Sequence, residues 1–198
     1  MPLSIEQLEQ FFCSFHRRAI INDRLTSAGV LLLLTEQDGE LAVLFTQRTE
    51  TVEHHKGQVS FPGGAMDVTD ATIVDTALRE DEEEIGLPRS AVRVLGVLDD
   101  FETPSGFCMT PVVGYAAKLP VLHLHQAEVA EMFLAPLSFF LDGGNERIEQ
   151  RERSGKLVSI YFYQYHNHLI WGATAAILRS FLYAVRDAAN SQHHAKTL

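Results

Sequence analysis

Five acids in succession, Glu80 to Glu84, close a segment that reads as a helix behind a glycine turn. FPGGAMD breaks regular structure, apolar residues then recur at helical spacing from Asp70 to Ile85, and Gly86 and Pro88 end the helix. The acids therefore crowd the last turn, where the negative end of the macrodipole disfavours each by about 0.3–1 kcal/mol. Glu80 and Glu84 add a like-charged i,i+4 pair, another ~0.2–0.5 kcal/mol against the helix. Something must offset this. An acidic run is usually a solvated face. Such a face would cost nothing at a helix N-terminus, however, and this one follows a Gly63-Gly64 pair that lets backbone approach a ligand. Glu80, Glu83 and Glu84, at i, i+3 and i+4, share one helix face and present hard oxygens to a divalent ion, so the sharper reading is a Mg²⁺ or Mn²⁺ site.

Charge balance supports a mediating cation. Residues 67–102 hold 11 acids against Arg79, Arg89 and Arg93, which makes up eight of the chain's ten net negative charges. No basic footprint exists to hold nucleic acid or an anionic membrane by charge, and an anionic ligand needs a bound cation. Cys13 and Cys108 are the sole cysteines, which excludes a disulfide framework or zinc knuckle and fits a reducing compartment. MPLSIEQLEQFF lacks a basic start and apolar core, and the long apolar stretch 169–185 is interrupted by Arg179, so a cytoplasmic protein is expected.

The 198 residues suit one domain, and no repeat or linker divides them. Ser4 and Gln7 form a capping-box pattern ahead of a helix expected to reach about Ala19, within a lead-in of residues 1–25. SAGVLLLLT and LAVLFTQR flank Asp38-Gly39 and predict an antiparallel hairpin. Beyond the acidic helix, strand, TPSG turn and strand are followed by a later hairpin around SGK and an apolar-faced helix from Gly172 to about Ala189, with residues 190–198 as a frayed tail. The expected class is α+β, an α/β/α sandwich with a central mixed sheet and flanking helices.

Other candidates carry alternatives. Arg79 either orients the glutamates or makes an ordinary helix salt bridge with Glu83, and Gly63-Gly64 is either a ligand loop or a plain turn. The histidine pairs, His54-His55, His123-x-His125, His166-x-His168 and His193-His194, lack further metal partners and read as structural or surface residues, His55 excepted. Glu128 and Glu131 are candidates for a late carboxylate, with an exposed edge slightly favoured. Trp171, Tyr161 and Tyr163 suit packing better than base stacking. There is no G-x-G-x-x-G, G-x-x-x-x-G-K-[ST] or G-x-S-x-G, which removes dinucleotide oxidoreductases, P-loop kinases and serine hydrolases.

Gly64, Asp70, Arg79, Glu80, Glu83, Glu84, Gly86 and Leu87 resemble the Nudix box, G-x5-E-x7-R-E-U-x-E-E-x-G-U with U aliphatic, across residues 63–87. Asp70 replaces the early Glu, one extra residue precedes Arg79, and Asp81 stands where an aliphatic side chain packs, a costly place for a buried acid. Within LFTQRTETVEHHKGQVSFPGGAMDVTDATIVDTALRE, the residues His55, Gly57, Gln58, Phe61, Pro62, Gly63 and Gly64 are similar to the coenzyme A diphosphatases, which share the one-residue expansion. Glu53 departs, standing where many members carry Arg, and Arg48 and Lys56 are the cations that would substitute.

The resemblance implies a Nudix fold and metal-dependent hydrolysis of a pyrophosphate linkage, cleaving coenzyme A or acyl-CoA to 3',5'-ADP and (acyl-)4'-phosphopantetheine. It makes Glu80, Glu83 and Glu84 metal ligands, Glu83 and Arg79 catalytic, and Arg48, His55, Lys56, Gln58, Gly63 and Gly64 substrate-binding. The partner is then a small nucleotide diphosphate. Rivals are another Nudix substrate such as NADH or ADP-ribose, or a Nudix-fold binding module, which the intact acids disfavour. Oligomeric state stays open, a homodimer included.

Overall fold

The computed structural model describes residues 4–51, 55–153 and 155–195, with side chains as far as Ala189. Glu53 and His54 fall outside these residues, as do the side chains of His193 and His194. Helix α1, Ile5–Ser14, starts in the expected capping box, with Ser4 N–H donating to Gln7 Oε1 at 2.8 Å and Gln7 N–H to Ser4 Oγ at 3.3 Å. It stops five residues before the expected Ala19. Arg17 makes paired bonds to Asp100, and the backbone N–H groups of Arg18 and Ile20 donate to Asp99 and Asp100, which draws the chain out of helix.

Strands β1 (Thr26–Gln37) and β2 (Glu40–Arg48) form the predicted hairpin, closed by Asp38 and Gly39 at φ 52° and 83°. Two short strands follow, β3 (Val59–Ser60) against β2 and β4 (Gly63–Ala65) against β1. Next come helix α2 (Ile73–Ile85), strands β5 (Arg93–Val97), β6 (Phe101–Glu102), β7 (Phe107–Ala116) and β8 (Val129–Pro136), and the short helix α3 (Leu137–Leu141). β1 pairs in parallel with β7, while its other pairs and the remaining strand pairs run antiparallel, so the sheet is mixed as expected. Eight consecutive β1 residues are buried because both sheet faces are covered. Leu31 and Leu33 face α2, while Val30, Leu32 and Leu34 join the core shared with α1 and the C-terminal helix.

The later hairpin, β9 (Glu146–Arg153) and β10 (Lys156–Tyr165), takes β11 (His168–Trp171) into a separate three-stranded sheet. Helix α4, Gly172–Ala195, runs past the expected end near Ala189. The aromatics read as packing residues do pack here: Trp171 stacks on Phe162, Arg179 lies over Tyr161, and Tyr163 Oη donates to Glu146 at 2.7 Å. Among the described residues no helix is long and apolar enough to cross a membrane. Cys13 is exposed, Cys108 is buried, and both are free.

Candidate active site

Helix α2 is held directly on β1 because Gly29 has no side chain: a Cβ there would stand 2.7 Å from Ile73 O and 2.9 Å from Ala77 N. Its start lies at Thr72, whose hydroxyl caps Asp75 N–H, and not at Asp70 as the spacing predicts. Asp70 is engaged elsewhere, accepting from Asp67 N–H, Thr76 Oγ1 and Arg79. The C-terminus closes on Gly86 at φ 74°, and the loop after β7 returns to donate His123 N–H to Ile85 O at 2.9 Å and His125 N–H to Glu84 O at 2.8 Å. Two orphan carbonyls at the negative helix end are thereby satisfied.

Arg79 is a hub. Its Nε and Nη2 bind Asp70 at 3.0 Å each, Nη1 reaches Glu80 at 2.8 Å and Glu83 at 3.0 Å, and Nη2 also donates to Ala65 O at 3.1 Å. These bonds go beyond a lone i,i+4 salt bridge with Glu83. The guanidinium holds the Asp70 carboxyl well below the usual range. Gly64 pairs with Gly29, and its backbone lies so near Glu80 that a Cβ would stand 2.5 Å from the carboxylate, so the glycine pair abuts the acidic face.

Neutralisation weakens at Glu84, one turn beyond Glu80 on the same face. Glu84 is 6% exposed, and the cation paired with it is Arg48 Nη1 at 3.8 Å. Burial pushes its acid form up to about 8, helped by the charges of Glu80, Glu128 and Asp81, with Arg48 opposing. Glu80 is raised as well, burial outweighing Arg79. Asp81 is fully buried between Ala77 and Ile85 on the sheet-facing side, both carboxylate oxygens lack a partner, and burial pushes it up to about 8. The packing cost expected for an acid at that position is therefore present.

Arg48, at the bulged end of β2, joins the helix to the H-x-G-Q turn. Its N–H donates to Gln58 O at 3.0 Å, and its buried Nε has no partner. In the turn, His55 sits at φ 58° and its Nδ1 lies 2.9 Å from Gln58 Oε1, with Lys56 exposed beside it. The Thr49 N–H donates to Glu128 O at 2.9 Å, which brings the next strand to the site. Glu128 pairs with His125 at 3.2 Å with its side chain 43% exposed, and its charge bears on both Glu80 and Glu84, so this candidate late carboxylate lies near the acidic helix. Glu131 instead pairs with His168, which stacks on Phe133.

Residues 24–148 match the NUDIX domain. The chain belongs to the Nudix hydrolase family. It is similar to the "Uncharacterized Nudix hydrolase NudL" of Photorhabdus laumondii, 42% identical over 166 residues covering 84% of this chain and 88% of that one. The Klebsiella pneumoniae relative of the same name is 40% identical over 164 residues, covering 82% and 83%. The fold resembles a NUDIX hydrolase structure from Alicyclobacillus acidocaldarius, TM-score 0.53 at 21% identity, covering 83% of this chain and 93% of that one. The protein is accordingly a Nudix pyrophosphohydrolase acting on a nucleoside diphosphate derivative.

Nudix hydrolases generally use divalent metal ions, and the donor set here fits one. Glu80 and Glu84 are hard oxygen donors held up in acidity by burial and mutual repulsion, which a cation would relieve. Among the described residues no three acid, histidine or cysteine side chains form a ready cage, and Arg79 Nη1 stands between Glu80 and Glu83.

Proposed function

We propose that this Nudix hydrolase cleaves the pyrophosphate linkage of coenzyme A or acyl-CoA, with Mg²⁺ or Mn²⁺, to 3',5'-ADP and (acyl-)4'-phosphopantetheine. One observation carries the reading: Arg48 binds the H-x-G-Q turn through its N–H and faces Glu84 with its guanidinium, so the segment similar to coenzyme A diphosphatases is fastened to the acidic helix. Glu80, Glu83 and Glu84 would hold the ion, which neutralises phosphate oxygens and lowers the pKa of water when bound. Glu83, 61% exposed, accepts the proton of the attacking water while Arg79 fixes its carboxylate. The attacking oxygen adds to one phosphorus as the bridging P–O bond breaks, and the departing phosphate keeps that electron pair. Arg48, His55, Lys56 and Gln58 line the approach for the nucleotide half, with the Gly63-Gly64 backbone beneath it. Glu128 is a second base candidate, because its charge already bears on the ligand pair.

The test is product analysis by phosphorus NMR with coenzyme A, NADH and ADP-ribose, with either metal or with chelator, alongside Glu84→Gln. Metal-dependent release of 3',5'-ADP from coenzyme A, lost in the variant, is expected. Intact coenzyme A beside a cleaved NADH or ADP-ribose would sink the substrate assignment and leave the family reaction standing.

A further inference from the structure

The H-x-G-Q turn is braced from outside, through side chains of β2, β8 and β11. Gln47 is paired on one side with Val59 of β3 and on the other with Glu131 of β8, ahead of the bulge at Arg48. Residues directly opposite in antiparallel strands project to the same face, so Gln47 and Glu131 present their side chains together, and His168 of β11 reaches both. His168 is 8% exposed and its ring stacks on Phe133 at 3.8 Å. Its Nδ1 lies 3.2 Å from Gln47 Oε1 and 3.4 Å from Glu131 Oε1. The other end of the Gln47 amide, Nε2, donates to Gly57 O at 3.1 Å, inside the turn.

The donor and acceptor roles along this chain are forced. Gly57 O can only accept, so Gln47 must face it with Nε2 and turn Oε1 to His168. Gln47 Oε1 and the Glu131 carboxylate both accept, so His168 Nδ1 must carry a hydrogen, shared between them. We infer that His168 is a positioning residue for the substrate turn: it orients the Gln47 amide, which fixes Gly57 O and with it the neighbouring His55, Lys56 and Gln58. This rests on the substrate-binding reading of that turn. The start of α4 adds a second brace, since the Thr174 hydroxyl donates to Val59 O at 3.2 Å, just past Gln58. Arg48 needs the same brace, because its N–H is bonded to Gln58 O while its guanidinium faces Glu84.

The experiment measures KM and kcat for coenzyme A at saturating Mn²⁺, and the thermal midpoint, in the wild type, His168→Phe, His168→Asn, Gln47→Leu and the double variant of Gln47→Leu with His168→Phe. Phenylalanine keeps the ring stack on Phe133 and loses the donor, whereas asparagine keeps a δ N–H and loses the ring. His168→Phe is expected to raise KM by about tenfold with kcat within about threefold, since a loosened turn weakens ground-state and transition-state binding alike. His168→Asn is expected to hold KM within about threefold although its thermal midpoint falls further than that of His168→Phe. Gln47→Leu should raise KM as His168→Phe does, and the double variant by no more than about twofold beyond either. KM that follows the loss of thermal midpoint across the two His168 variants, an unchanged KM or a fall confined to kcat in His168→Phe, or a fully additive double variant overturns the inference while the substrate reading stands. Coenzyme A left intact by the wild type overturns the substrate reading instead, and the same KM pattern is then expected on NADH or ADP-ribose, whichever is cleaved.

Discussion

The two sides of helix α2 carry the same residue types and treat them oppositely. Toward Ala65 and Asp70, Arg79 meets three carboxylates with four N–H···O bonds, and Asp70 stays ionised far into acid. Toward Arg48 and the sheet, Glu84 has a guanidinium at 3.8 Å, Asp81 has nothing, and burial raises both to about 8. Asp70, held by paired guanidinium bonds, is committed to Arg79, whereas Glu84, buried with its cation 3.8 Å away, is open to an ion from outside.

Four substitutions sharpen that contrast. Glu84→Gln, on the unmatched side, should cut kcat by about a thousandfold or more in a steady-state assay with saturating metal. Its thermal midpoint should not fall, since a neutral amide replaces a carboxyl already raised by burial; a fall of many degrees would assign Glu84 to scaffold. Arg79→Ala should lose about a hundredfold in kcat and lower the urea midpoint as well. Arg79→Lys should restore little, because a point charge cannot reproduce the paired bonds to Asp70. Gly64→Ala pushes on the movable Glu80 carboxylate, so a drop of about tenfold in kcat with near-normal stability is expected.

Asp81→Leu should leave kcat nearly unchanged and raise stability by about 1–3 kcal/mol at pH 8, by removing an unsatisfied buried acid. The sign follows from its raised acidity. Folded Asp81 keeps its proton up to about 8 while the unfolded chain releases it near 3.8, so the wild type loses stability as pH rises between those values. Urea titrations in chelator at pH 4 and pH 8 should thus show a variant advantage that is small at the lower pH and full at the higher. An advantage independent of pH would mean that Asp81 is not titrating.

Much of the fold was legible because its signals are local. The Asp38-Gly39 hairpin, the β1 leucine run and the Gly86 stop each follow from residues within a few positions. The three glutamates, Arg79 and the glycine pair were legible for the same reason, since i, i+3 and i+4 spacing fixes a helix face. What failed depended on distant partners. Helix α1 ends early because Asp99 and Asp100 take the chain after it. Helix α2 starts late because Asp70 serves Arg79. Glu128 lies 44 residues past Glu84 and enters the site only when the loop after β7 folds back onto the helix end. The separate β9–β11 sheet likewise depends on packing that no hairpin signal encodes.

The most direct measurement is calorimetric titration of Mn²⁺ into the wild type, Glu84→Gln and Glu82→Gln. Glu82 carries the same charge on the same turn but is half-exposed and paired with Arg89 at 3.2 Å, so it controls for charge alone. If Glu84 helps Glu80 and Glu83 hold the ion, Glu84→Gln should weaken Mn²⁺ binding by at least about tenfold while Glu82→Gln stays within about twofold of the wild type. Equal affinity in the wild type and Glu84→Gln would contradict that assignment outright.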